Sequence, residues 1–190
     1  MSPLIVTEQV VWRCLDAKRQ SNCSDAQLGG TLYDRHDRVL ANASNTCSPP
    51  QEHSVPWRSS TRLVSCPRML RDRTAGKAWE LCRTIHCEVS LLQNLLPEIL
   101  QRPLFLQLGS ADRLETPKGR AAFLSLFTPQ ERESARDGTI VVAGIDWMCR
   151  SCQEVLFVDF AVRTAILVPS SGRDPIVLER DFILTEGMHE

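Results

Sequence analysis

No stretch of this 190-residue sequence is apolar for long enough to span a bilayer, so no membrane is expected as a partner. A surplus of one charge is also missing. The 22 Lys and Arg residues stand against 23 Asp and Glu, for a net charge of −1. There is no global basic field to hold nucleic acid, which is therefore not an expected partner. The opening residues, MSPLIVTEQVVWRCLDAKRQ, lack a cationic start and a long apolar core, so no secretory leader is expected. Internal repeats and low-complexity tracts are absent as well. What is there is a globular composition, 43% hydrophobic and 24% charged, at single-domain length. Eight cysteines stand out. Without an export signal they point to thiols or metal ligands rather than disulfides, and to a cytoplasmic location.

The pattern along the chain alternates helices and strands. Ile5 to about Arg19 reads as a helix with Val6, Val10, Val11 and Leu15 on one face. LGGTLYDRHDRVLANASNT, Leu28 to Thr46, reads as a hairpin turning around Asp34 to Asp37. Cys47 to Thr61 reads as loop. Glu88 to about Gln101 reads as an apolar helix that stops before Pro103. In TPQERES, Thr128 is the N-cap, Pro129 lies in the first turn and Glu131 takes the capping-box position. GTIVVAGI, Gly138 to Ile145, suits a buried strand. Cys149 opens a helix to about Phe160, RTAILVP is a further strand, and PIVLER is read as the last. An α/β sheet covered by helices follows.

Two short motifs carry chemistry. CRTIHCEVSLL puts His86 two residues before Glu88 at a helix start, and DWMCRSCQEVL puts Cys149 and Cys152 at Cys-x-x-Cys spacing at another. His-x-Glu alone is close to chance. Cys-x-x-Cys alone also fits a redox pair or a structural zinc. Together they offer two sulfurs and one nitrogen, a donor set that suits Zn²⁺. Three protein ligands leave the fourth tetrahedral position to water, and zinc lowers the pKa of that water toward neutrality. Glu88 is then free to move protons.

On these residues the chain resembles the cytidine/deoxycytidylate deaminase superfamily, whose signature is His-x-Glu with a downstream Cys-x-x-Cys. LGGTLYDRHDRVLANASNT is similar to the family's first hairpin, TIHCEVSLL to its His-Ala-Glu helix, and TIVVAGIDWMCRSCQEVLFVDFAVRTAIL to its strand, Cys-x-x-Cys helix and following strand. CPRMLRDRTAGKAWELCRTIHCE and QSNCSDAQLGG are similar to segments of bacterial and phage deoxycytidylate deaminases. The resemblance covers nearly all of residues 1–190. It implies one three-layer α/β/α domain on a mixed sheet of about five strands. A Cys-containing insertion would lie around 46–85 and an extra segment around 104–137. The implied activity is zinc-dependent conversion of a cytosine nucleotide, deoxycytidylate foremost, with release of ammonia. His86, Cys149 and Cys152 would hold the zinc and Glu88 would be the catalytic acid/base. Asn45 would contact sugar or phosphate, and the Cys87 backbone N–H the pyrimidine carbonyl. Some relatives carry a second, structural zinc. Cys23, Cys66 and Cys82 match its region, with Cys47 or His53 as a fourth ligand; the alternative is buried thiols acting as small hydrophobes. A homo-oligomer is implied by resemblance alone.

The chain departs from that pattern in places. Met148 stands where the family has Pro, and the loop AGIDWMC is longer than usual. Cys87 replaces the Ala of His-Ala-Glu, and Ser90 replaces an Asn. Trp147, within this loop, is a candidate to stack on a base. The alternatives that stay open are a different nucleoside, nucleotide or nucleic-acid base, and a catalytically inactive interaction module.

Overall fold

The computed structural model describes residues 5–21, 23, 27–47, 84–96, 114 and 117–186. Thr7 accepts a hydrogen bond from the Val10 N–H on its side-chain oxygen and so starts helix α1 (Glu8–Lys18). Strands β1 (Gly29–Tyr33) and β2 (Val39–Ser44) form the expected antiparallel hairpin. Its turn is organised by Asp34. That carboxylate accepts from the backbone N–H groups of His36 (2.8 Å) and Arg38 (2.9 Å) and from Arg38 Nε (2.7 Å). Burial works against the charge, but these hydrogen bonds outweigh it and hold the carboxyl below its ordinary range. Asp37 completes the turn at φ 59°, a left-handed conformation that Asp tolerates.

β3 (Thr46–Cys47) pairs with β4 (Thr84–Ile85), so Cys47 belongs to a short ladder where the sequence reads as loop. Helix α2 (Cys87–Gln93) is shorter than its apolar run suggests. The N–H groups of Leu95 and Leu96 turn back to the carbonyls of Leu92 and Gln93, closing the helix in tighter turns. Pro97 follows, which disfavours helical backbone at Leu96.

Helices α3 (Pro117–Leu124) and α4 (Pro129–Ala135) fill the described part of the long middle segment, and α4 begins with the capping box at Thr128 and Glu131. This part is core. Phe123 and Phe127 are buried, and Phe127 meets Phe160 edge-on at 4.9 Å. Arg120 adds an ion-pair clamp, bidentate to Asp159 (2.6 and 2.9 Å) and also bonded to Glu154 (2.5 Å). The clamp grips helix α5 (Arg150–Gln153) where it widens into a π-helical segment, Glu154–Asp159. In that segment the Phe160 N–H bonds the Val155 carbonyl, five residues back.

Strands β5 (Thr139–Ala143), β6 (Thr164–Val168) and β7 (Ile176–Glu179) complete a mixed five-stranded sheet in the order β2-β1-β5-β6-β7. Only the β5–β6 pair is parallel, and α5 lies in the connection between these two strands. A helix that the pattern had not marked, α6 (Arg180–Glu186), follows β7. Successive strand residues point to opposite faces. Tyr33, Val141, Ala143 and Ile166 meet Val10 and Cys14 of α1 on one face. Leu32, Ile140, Val142 and Leu167 share the other with α2 and α5. The α/β layering expected from the sequence is therefore the fold found. Among the described residues, no helix is long and apolar enough to cross a membrane.

The contact between α1 and the sheet rests on Gly29. A Cβ there would lie 2.2 Å from both the Cys14 carbonyl oxygen and the Lys18 backbone nitrogen. Both atoms belong to a regular helix, so no side chain can swing aside. Gly29→Ala is expected to destabilise the protein by about 3 kcal/mol through forced separation of the two layers. A urea unfolding curve reads this directly; an unchanged midpoint would show that α1 does not sit this close.

Candidate metal centre

The site is assembled from the starts of two helices. His86 is the N-cap of α2 and Cys149 the N-cap of α5; both have extended backbone (ψ 149° and 152°). At such positions a Ser or Asp side chain would normally accept a hydrogen bond from the first turn. Neither His86 nor Cys149 does so, and both side chains turn toward each other instead. Cys152, in the first turn of α5, joins them. β4 runs straight into His86, and β5 delivers Cys149 through a loop that starts at Gly144. Gly144 has φ 103°, which requires glycine, and a Cβ there would lie 2.8 Å from the Gln27 carbonyl.

His86 Nδ1 lies 3.4 Å from Cys149 Sγ and 3.4 Å from Cys152 Sγ. All three donor atoms fall within 4.8 Å of one another. Zn–S bonds of about 2.3 Å and Zn–N bonds of about 2.0–2.1 Å at a tetrahedral angle place sulfur and nitrogen about 3.5 Å apart. The donor set therefore fits a zinc-sized, borderline-soft ion in both chemistry and spacing. The environment favours thiolate at Cys149. The Cys152 thiol donates to it and His86 lies beside it, and together they lower its pKa to about 4 against the opposing effect of burial. Cys152 is pushed the other way, because it is the donor in that bond and is buried.

Glu88 stands in the first turn of α2 and is 2% exposed. Its Oε2 is buried without a hydrogen-bond partner. Burial raises its pKa, His86 draws it down and Cys149 pushes it up; the net direction is upward. A carboxyl of this kind holds a proton more readily than an exposed one, which suits proton transfer near neutral pH. Glu88 is not one of the clustered donors.

The remaining sequence candidates are placed as follows. Cys87 is fully buried, its thiol donates to the Ala43 carbonyl at 3.4 Å, and it is not one of the clustered donors. Burial raises its pKa well above the ordinary value. Trp147 is half exposed on the loop two residues before Cys149. Asn45 is buried; its Oδ1 accepts from Ser21 Oγ (2.7 Å) and the Leu28 N–H (2.8 Å), which fastens the end of β2 to the chain entering β1. That duty was not legible from the hairpin motif. Cys23 is buried, and its backbone N–H reaches Ser21 Oγ at 3.3 Å. Its proposed companions Cys66 and Cys82 lie outside the described residues, as do His53 and the side chain of Cys47.

No protein-family model matches the chain, and no curated protein matches it.

Proposed function

We propose that this protein is a zinc-dependent hydrolytic deaminase of a cytosine nucleotide, with deoxycytidylate as the substrate. The observation that carries the reading is the pairing of a His/Cys/Cys donor set at zinc spacing with a buried carboxyl, one oxygen of which has no hydrogen-bond partner, two residues from the His of that set. A purely structural zinc site has no use for such an acid. The resemblance of both motifs to the deaminase superfamily supplies the substrate class.

His86, Cys149 and Cys152 would hold the ion. Bound zinc supplies Lewis-acid activation of a water at neutral pH. Glu88 receives a proton from the water that adds to C4 of the ring, and gives it to N3. It then takes the proton of the new C4 hydroxyl and passes it to the exocyclic amine, so that the C4–N bond breaks as the C4 carbonyl forms. Cytosine and water thus become uracil and ammonia, with no oxidant or reductant. This reading assigns Asn45 to the sugar or phosphate, the Cys87 backbone N–H to the pyrimidine carbonyl, and Trp147 to a wall of the base pocket.

The test is zinc content per chain, measured with ammonia release from a panel of cytosine and adenine nucleosides and nucleotides. The expected result is at least one zinc and turnover of deoxycytidylate. Turnover of another compound on the panel would keep the chemistry and replace the substrate. Zinc with no ammonia from any of them would overturn the enzyme reading in favour of a zinc-bearing interaction module.

A further inference from the structure

One buried polar side chain next to the metal group has no role in the proposed reaction. Gln153 follows Cys152 directly and is 2% exposed. Its Nε2 donates to the backbone carbonyl of Met148 at 2.7 Å. Met148 is itself buried and directly precedes Cys149. The bond therefore ties the residue before the first sulfur to the residue after the second, and encloses both cysteines in one short ring.

The loop between β5 and α5 explains why such a tie matters. Asp146 and Trp147 are exposed, and the backbone of Met148 carries no covalent restraint of the kind a proline ring imposes. The Cys149 side chain makes no capping bond to α5 that would hold its own backbone. The turn of helix after Cys149 places Gln153 four residues on, where its backbone N–H also bonds the Cys149 carbonyl. Gln153 thus grips the carbonyls of two successive residues, Met148 with its side chain and Cys149 with its backbone.

We propose that Gln153 is a positioning residue for the metal group. Its amide fixes the Met148–Cys149 peptide, and through it keeps Cys149 Sγ within bonding reach of an ion shared with Cys152 and His86. The inference rests on the reading that these three residues hold zinc, and not on the identity of the substrate. Partners just outside a metal's ligands typically change its affinity by about 10–100-fold when removed.

The experiment compares the parent, Gln153→Leu and Gln153→Met. Leu keeps the branch at Cγ and Met keeps the length; both lose the amide donor and add no charge. Zinc affinity is measured by transfer to a chromophoric chelator, and the cobalt-substituted proteins are compared by their thiolate-to-metal absorption. Both variants are expected to bind zinc about 10–100-fold more weakly and to show an altered cobalt band. If either variant does not fold, Gln153→Asn retains the amide but is a methylene short, and the same outcome is expected of it. Unfolding midpoints of the zinc-stripped proteins are the control. Variants that unfold more easily yet match the parent in zinc affinity and cobalt spectrum would make Gln153 merely structural and overturn the proposal. A parent that binds no zinc would overturn both this proposal and the metal reading, and shows itself before any substitution is made.

Discussion

Glu88→Gln is expected to lower the rate of ammonia release by about 10²–10⁴-fold, the usual contribution of a positioned acid/base. Zinc content and fold should stay as in the parent. Gln has nearly the shape of Glu and no charge, so it fits a side chain that is 2% exposed and close-packed on α2. Glu88 lies outside the clustered donors, so the three groups that would hold the ion are left in place. What Gln lacks is the ability to take up and give back a proton. The structure makes the rival outcome concrete. If Glu88 serves only packing or the helix N-terminus, its replacement lowers the unfolding free energy by a few tenths of a kcal/mol, up to about 1 kcal/mol, and leaves the rate alone. Single-turnover measurement at saturating deoxycytidylate, with zinc measured on the same sample, separates the two. A rate within a factor of three of the parent's would remove Glu88 from the reaction.

The elements that could be read from the sequence are those written in local chemistry. Thr128, Pro129 and Glu131 spell out a helix start by themselves, and the capping box is present as read. The run from Thr139 to Ala143 is apolar without alternation because β5 is buried on both faces. Asp34 to Asp37 mark a turn because Asp caps backbone N–H groups and tolerates positive φ. What stayed hidden depends on partners far along the chain. Arg120 looks like any solvated cation until Asp159, 39 residues away, comes beside it. The β3–β4 ladder has two residues per strand and no pattern long enough to detect. The π-helical widening at Glu154 to Asp159 has no periodic signature in the sequence, and the Phe160 that follows it packs against Phe123 and Phe127, more than 30 residues away. At the site, the residue types and spacing pointed to His86, Cys149 and Cys152, but the bracing role of Gln153 had no signal. A Gln after a Cys-x-x-Cys is unremarkable until its amide is seen on the Met148 carbonyl.

The second large effect is expected at Cys152. Cys152→Ser should take the zinc content at this site from one per chain to near none and abolish ammonia release. Ser is close in size and suits a side chain that is 1% exposed, so the zinc-free protein should still fold. A neutral hydroxyl, however, is a poor substitute for a thiolate toward zinc. The two ligands that remain, His86 and Cys149, come from residues 63 apart in the chain and have no third donor within reach among the described residues. Metal binding should also be visible as stability. An ion that binds only the folded state, at a free concentration of about 1,000 times its dissociation constant, adds about 4 kcal/mol. The parent should therefore unfold at a lower temperature after chelation, and Cys152→Ser should unfold at one temperature with or without the chelator. Any zinc that persists in the variant belongs elsewhere. Retention of one full equivalent, in a variant made from a parent holding two, would show a second site, for which Cys23, Cys66 and Cys82 are the sequence candidates. Retention of everything the parent holds would mean that His86, Cys149 and Cys152 are not the metal centre, and the deaminase reading would fall with them.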